Sequence, residues 1–125
     1  NEQLGKASKG ARVLVTGIAY KKNVDDTRES PAFKIIELLE KRGAEVSYYD
    51  PIVVEIPPSR EHPAFAGRRS ISFVESSISA FDAVIICTDH DSVDYARLVE
   101  WSSLVIDTRN ACARLGVSGA HIVKA

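Results

Sequence analysis

Three observations predict a three-layer α/β domain built on a mostly parallel sheet of five to six strands, with helices on both faces. Short apolar runs alternate with segments of helical period along most of the chain. Several of these runs are nearly continuous in Val, Ile and Leu, as strands covered on both faces are. The opening run "ARVLV" leads through a loop into "SPAFKIIELL", which starts a helix. At 125 residues the chain holds a single domain's worth of core.

The elements follow in order. Residues 1–10 show no sustained period and read as a linker or tail, leaving 11–125 as the domain. Strands are expected at Arg12 to Thr16, Glu45 to Tyr49, Ile71 to Val74, Ala83 to Thr88, Leu104 to Asp107 and, weakly, His121 to Lys124. The first helix carries the clearest signs. Ser30 can cap its amides, Pro31 suits its first position, and Gly43 ends it. Ala32, Ile35, Ile36 and Leu39 form its apolar stripe, with Lys34, Glu37, Glu40 and Lys41 toward water. Further helices are expected from Ser92 to Glu100, from Glu75 to Ala80 and after Asn110. The segment 51–70, which holds four of the five prolines, reads as a surface excursion. Right-handed crossovers place the strands in the order 3-2-1-4-5. The chain then reverses between strands 1 and 4, and ligands of such sheets bind at that crevice, outside the carboxyl ends of the strands. "TGIAYKK", "TDHD" and "DTRN" meet there.

Composition excludes several functions. With 16 basic and 17 acidic residues the net charge is −1, so no global basic excess points to nucleic acid and any anion site is local. No apolar run approaches the roughly 20 residues that span a bilayer, and nothing resembles a leader peptide. The two cysteines, Cys87 and Cys112, form no disulfide framework; Cys87 reads as a small buried hydrophobe, which suits a reducing cytoplasm. The chain begins at Asn1, which suggests a piece of something longer.

A dinucleotide site needs glycines that let backbone amides approach a pyrophosphate at a helix start. Here only Gly17 follows the first strand and the helix begins far beyond it, so NAD binding by this chain is disfavoured. Asp50 stands where a ribose-binding acid would, but "DP" reads first as turn chemistry. Phosphate recognition by side chains is the alternative, with Lys21, Lys22, Arg28 and Arg109 in or near the crevice loops. Lys22 and Arg28 read first as partners of neighbouring acids; Lys21 and Arg109, beside strand ends, read first as ligands. Tyr20 could stack on a base or pack under the loop. His90 reads as a structural loop histidine, with Asp89 or Asp91 capping the next helix; no metal-ligand spacing accompanies it. No catalytic constellation is complete.

These residues carry a resemblance. "GIAYKKNVDDTRESPAFKIIELLEKRGAEVSYYDP", "FDAVIICTDHDSVDY" and "LVIDTRN" resemble, in order, the landmarks of the carboxyl-terminal domain of the UDP-glucose/GDP-mannose dehydrogenase family, over roughly residues 10–125. "TDH" followed by "DY", and the closing "IVKA", resemble its UDP-N-acetylhexosamine branch. Thr16 departs mildly, standing where such domains often carry an apolar residue. The resemblance implies a Rossmann-like domain of an oxidoreductase that converts the C6 alcohol of a UDP-sugar to a carboxylate, for polysaccharide precursors. It implies NAD bound by an amino-terminal domain rather than by this segment, and a catalytic cysteine from a middle region that neither Cys87 nor Cys112 matches. Tyr20, Lys21, Arg28 and Arg109 become the expected UDP-sugar contacts, with Arg28 ordering the loop or meeting a neighbouring segment. The parent is expected to be a cytoplasmic homo-oligomer, and the segment alone inactive. A free-standing nucleotide-binding regulatory module is the competing expectation. A receiver domain fits poorly, because Asp25 and Asp26 come too far after the first strand.

Overall fold

The structure, a computed structural model, describes residues 10–125, so the expected linker lies almost wholly outside the described residues. Five parallel strands form one sheet: β1 Arg12–Thr16, β2 Glu45–Tyr49, β3 Ala83–Ile86, β4 Val105–Asp107 and β5 Ile122–Lys124, in the order β2-β1-β3-β4-β5. Among the described residues four α-helices accompany them, α1 Pro31–Lys41, α2 Glu75–Ile78, α3 Tyr95–Trp101 and α4 Ala111–Arg114, together with a single 3-10 turn at Pro63–Phe65. The central register pairs Val13 with Ala83 and Thr16 with Ile86, so β1 and β3 end side by side. The chain reverses direction between them, as expected.

The alternation of strand side chains divides the core in two. Val13, Val15, Ile85 and Ile106 pack with Ala32, Phe33, Ile36 and Leu39 of α1. Leu14, Val84, Ile86 and Val105 point the other way, onto Ile78 of α2, Leu98 and Val99 of α3, and Cys112 of α4. Phe33 belongs to the buried face of α1, which the expected stripe omitted, whereas Ile35 is only partly buried.

Two expectations are corrected at the β2 edge. Ile71–Val74 is no strand: Ile71 donates one bond to Tyr48 O, at 2.9 Å, and no ladder follows. The proline-rich excursion is also more than surface. Val53, Ile56 and Phe65 enter the α1-side core, and Phe65 stacks on Phe33 at 5.3 Å. Arg68 grips Glu40 of α1 with two bonds, of 3.0 and 3.1 Å, and lies over Phe65 at 4.6 Å. The excursion thus covers part of the face that α1 alone leaves open, and a short antiparallel bridge, Glu55 with Arg69, closes it. Prolines interrupt helical period, which concealed the apolar residues between them.

Helix α1 is capped as the sequence predicts, Ser30 Oγ accepting from Ala32 N at 3.3 Å. Helix α3 starts later than expected, and its cap is Asp94, accepting from Arg97 N at 3.1 Å, rather than Asp89 or Asp91.

Gly17 is set by space as well as by conformation. Its φ is +80°, and a Cβ there would stand 2.1 Å from Thr88 O. Gly67 has a similar φ of +87° but nothing within 4 Å of the same position. Gly67→Ala should therefore cost about 1–2 kcal/mol, the conformational penalty alone. Gly17→Ala should cost about 2–4 kcal/mol, because backbone must also shift. Urea denaturation of both variants beside the wild type checks the difference.

Candidate functional site

Three loops meet at the carboxyl ends of β1, β3 and β4. The first, after β1, has its backbone bound from several sides. Gly17 N donates to Tyr49 O at 2.9 Å, and the carbonyl of Ala19 accepts from Thr88 Oγ1 at 2.7 Å and Ser30 Oγ at 3.3 Å. Ile18 N donates to Asp50 Oδ2 at 2.9 Å. Asp50 is buried, and its other oxygen accepts from Ile52 N and Val53 N at 2.8 and 2.9 Å. The "DP" sequence is thus turn chemistry, extended to a neighbouring loop. His90, fully buried, places Nε2 2.9 Å from Asp50 Oδ2 and accepts at Nδ1 from Asn23 N at 2.7 Å. It is a structural loop histidine, as expected.

Asp107, the last residue of β4, organises the third loop in the same manner. Its carboxylate accepts from Arg109 N, Ala111 N and Cys112 N at 3.0, 3.2 and 2.9 Å. That fixes the backbone of "DTRN", with Asn110 at φ +58°, and aims Arg109 back across the strand ends.

The result is an open cleft of about 490 Å³ lined by Lys21, Lys22, Asp89, Thr108, Arg109, Asn110 and Arg114. Such a volume falls within the roughly 300–1,000 Å³ of small-molecule sites. Four cations face one carboxylate in this lining. Asp89 is almost entirely buried and takes both arginines: Arg109 Nε lies 3.6 Å from its Oδ1, and Arg114 Nη2 bonds its Oδ2. Lys22 is paired instead with Asp91, at 3.7 Å. Among the described residues no carboxylate lies within ion-pair distance of Lys21.

The expected contact residues divide accordingly. Lys21 and Arg109 come together at the cleft although they are far apart in sequence, but Arg109 also has an acid partner. Arg28 lies elsewhere, held by Asp26 through bonds of 3.0 and 2.9 Å, in a neighbouring hollow with Tyr20, Glu29 and Glu61. Its guanidinium, by hydrogen bonding to the half-exposed Asp26, draws that carboxyl down to about 2. Tyr20 does not pack under the loop; it is 54% exposed. Arg114 and Asp89 were missed as site residues. The "TDHD" segment signalled the acid, but nothing in "NACARLG" shows that one turn of helix carries Arg114 back beside Arg109.

The residues present do not fit a dinucleotide cofactor. The Gly17 amide is already given to Tyr49 O, and α1 begins beyond a long loop with Ser30 on its first amides, so neither offers the free helix-start amides that cradle a pyrophosphate. The cysteines do not fit a nucleophile either. Burial pushes Cys87 up to about 12, against the opposing pull of Arg109, and burial with the Asp107 charge pushes Cys112 up to about 11. No group of three or more metal-ligating side chains occurs among the described residues.

Fold and cleft together define a doubly wound α/β domain with a cationic crevice at its topological switch point. The chain belongs to the UDP-glucose/GDP-mannose dehydrogenase family, whose UDP binding domain matches residues 14–114. It is similar to the UDP-N-acetyl-D-mannosamine dehydrogenase of Pyrococcus horikoshii, 32% identical over 114 residues, covering 91% of this chain and 22% of that one. It also resembles the UDP-glucose 6-dehydrogenase TuaD of Bacillus subtilis, 34% identical over 109 residues, 82% of this chain and 23% of that one. Among solved structures, an NDP-N-acetyl-D-galactosaminuronic acid dehydrogenase from Methanosarcina mazei superposes with a TM-score of 0.73 at 27% identity, covering 99% of this chain and 26% of its own. The Pyrococcus horikoshii UDP-D-ManNAc dehydrogenase gives 0.68 at 30% identity, with 98% and 28% covered. The chain spans about a quarter of the length of these relatives.

Asp50 and Asp107 respond alike to acid. Burial raises each carboxyl, but it is outweighed, by the His90 and backbone N–H bonds on Asp50 and by the backbone N–H bonds on Asp107, so both lie below the usual 3.8. A depressed carboxylate contributes stability that is complete above its unfolded value and drains away as pH falls through the folded one. Stability should hold from neutral pH down to about 5 and fall below about 4. Urea midpoints at pH 7 and pH 3 should differ less for Asp107→Asn than for the wild type.

Proposed function

We propose that this chain is the nucleotide-sugar-binding domain of an NAD-dependent dehydrogenase that oxidises the C6 alcohol of a UDP-sugar to a carboxylate. The observation that carries the reading is the cleft itself: cations converge at the switch point of a chain whose family match is a UDP binding domain. Lys21 and Arg109 are the residues assigned to the diphosphate. Arg114, bound to the same acid as Arg109, joins them as a further donor. Lysine supplies a compact charge and arginine a planar two-pronged donor. Asp89 keeps the arginines in place and limits their mutual repulsion until the anion arrives.

The remaining assignments follow the family. NAD belongs to an amino-terminal domain, since the residues described here offer no cradle for it, and the nucleophilic cysteine to a middle region. Tyr20 and Arg28, exposed in the neighbouring hollow, suit contact with another segment of the parent, which is read as a cytoplasmic homo-oligomer. No described helix is long and apolar enough to cross a membrane. The closing "IVKA" and "TDH" favour a UDP-N-acetylhexosamine over UDP-glucose, and polysaccharide precursor synthesis is the corresponding role.

In the full-length protein, Lys21→Ala and Arg109→Ala should each weaken UDP-sugar binding by about 1.5–3 kcal/mol, the worth of a charge-assisted hydrogen bond. Arg109→Lys should rescue only in part. Calorimetric titration with UDP, run beside melting temperatures, tests this. Lower stability with unchanged affinity would leave that residue a mere ion-pair partner. The 125-residue chain alone, incubated with NAD and UDP-sugars, should give no NADH absorbance above a buffer control; turnover would overturn the assignment of the chemistry to other regions.

A further inference from the structure

The partners of His90 permit its imidazole one tautomer. Asp50 accepts backbone N–H bonds on both oxygens and is held below the usual carboxylate range, so it is ionised and cannot donate to the ring. Nε2, at 2.9 Å from Asp50 Oδ2, is therefore the donor. Nδ1 lies 2.7 Å from the backbone nitrogen of Asn23, and an amide N–H can only donate, so Nδ1 carries no proton. The ring is fully buried, and water cannot readily substitute for either bond.

Those two bonds act on the loop that carries the lysines. Asn23 directly follows Lys21 and Lys22 and turns the chain with φ +66°. Its side chain exchanges bonds with Asp91, Nδ2 to Oδ2 at 2.8 Å and Asp91 N to Oδ1 at 2.9 Å, but these are exposed. The bond to His90 is the sheltered one. Asp50 thus holds the loop twice: directly at Ile18 and, through His90, at Asn23. Lys21 and Lys22 lie between the two holding points.

We propose that His90 is a positioning residue for the anion cleft: its neutral imidazole, oriented by Asp50, sets the placement of Lys21 and Lys22 by holding the amide of Asn23. The inference rests on the reading of the cleft as a diphosphate site. It extends that reading to a residue that does not line the cleft.

Two substitutions split the two bonds. His90→Asn can keep an acceptor near the Nδ1 position, whereas His90→Gln can keep a donor toward Asp50 while withdrawing the acceptor from Asn23. Asn23→Gly suits the positive φ, keeps the amide and removes only the exposed bonds to Asp91, so it serves as a variant expected to fold. In the full-length protein, UDP dissociation constants and hydrogen exchange of the peptide covering residues 17–26 are measured for all three and the wild type. His90→Gln should exchange faster in that peptide and bind UDP about fivefold to tenfold more weakly, the effect of one lost net hydrogen bond. His90→Asn should recover most of the affinity, and Asn23→Gly should lose less than His90→Gln. Equal affinity in all four proteins would overturn the assignment, as would faster exchange in His90→Gln with unchanged UDP affinity. A loss in Asn23→Gly as large as that in His90→Gln would transfer the role to the Asn23 side chain and also overturn it. A wild type that does not bind UDP overturns the reading of the cleft and this inference with it, so the wild-type measurement separates the two failures.

Discussion

The carboxylate of Asp50 joins parts of the chain that the sheet alone leaves independent. Strand pairing aligns β2, β1 and β3 but says nothing about the loops beyond their ends. Asp50 accepts from Ile18 in one loop, from Ile52 and Val53 in its own, and from His90 in a third. An ion taken out of water is costly unless its lone pairs are filled, and here N–H groups fill them. The bonds that offset the burial of the charge are the same ones that order the loops. Gly17 makes this geometry possible, since only a residue without Cβ lets the chain leave β1 against Thr88 and bring Ile18 to Asp50.

The cleft inherits its character from that arrangement. Its arginines come from the β4 side, ordered by Asp107, and its lysines from the β1 side, ordered through Asp50. Asp89, between them, is nearly buried, and two arginines meet it. Charges held by neighbouring groups need little rearrangement when an anion binds, which lowers the ordering cost of association. An excess of cations over acids remains at the opening of the cleft, on a chain whose overall charge is −1. A local field of this kind attracts an anion without making the whole surface adhesive.

The two faces of the sheet are covered by different means. Helices α2, α3 and α4 share one face, whereas α1 shares the other with an irregular, proline-rich segment. That segment is tied down by Tyr48, whose hydroxyl lies within 3.0–3.2 Å of the carbonyls of Val53, Val54 and Arg68, and by the Arg68–Glu40 pair. Among the described residues every buried side-chain polar atom has a partner. The irregular segment can therefore form part of a core wall here without stranding the polar side chains it buries.

The sequence by itself determined the alternation of most elements, the order β2-β1-β3-β4 and the position of the crevice, but it set a further strand, Ile71–Val74, beyond β2 where the structure has none. Apolar runs and helical period are local patterns, and crossover handedness allows few ways to connect them. Ser30, Pro31 and Gly43 marked the bounds of α1 because caps and terminators act on adjacent backbone. The family was legible too, through motifs such as "DDTRESP" and "DTRN" that lie within the matched span. The tertiary structure alone decided the full set of charged residues that share the cleft. It separated Arg28 from Lys21, although they stand in one loop, and brought Arg114 and Asp89 beside Arg109. It alone joined Asp50, His90 and Asn23, which lie in three different loops. Side-chain partners across long sequence separations follow from where whole elements pack, and no periodicity or spacing in the chain encodes that.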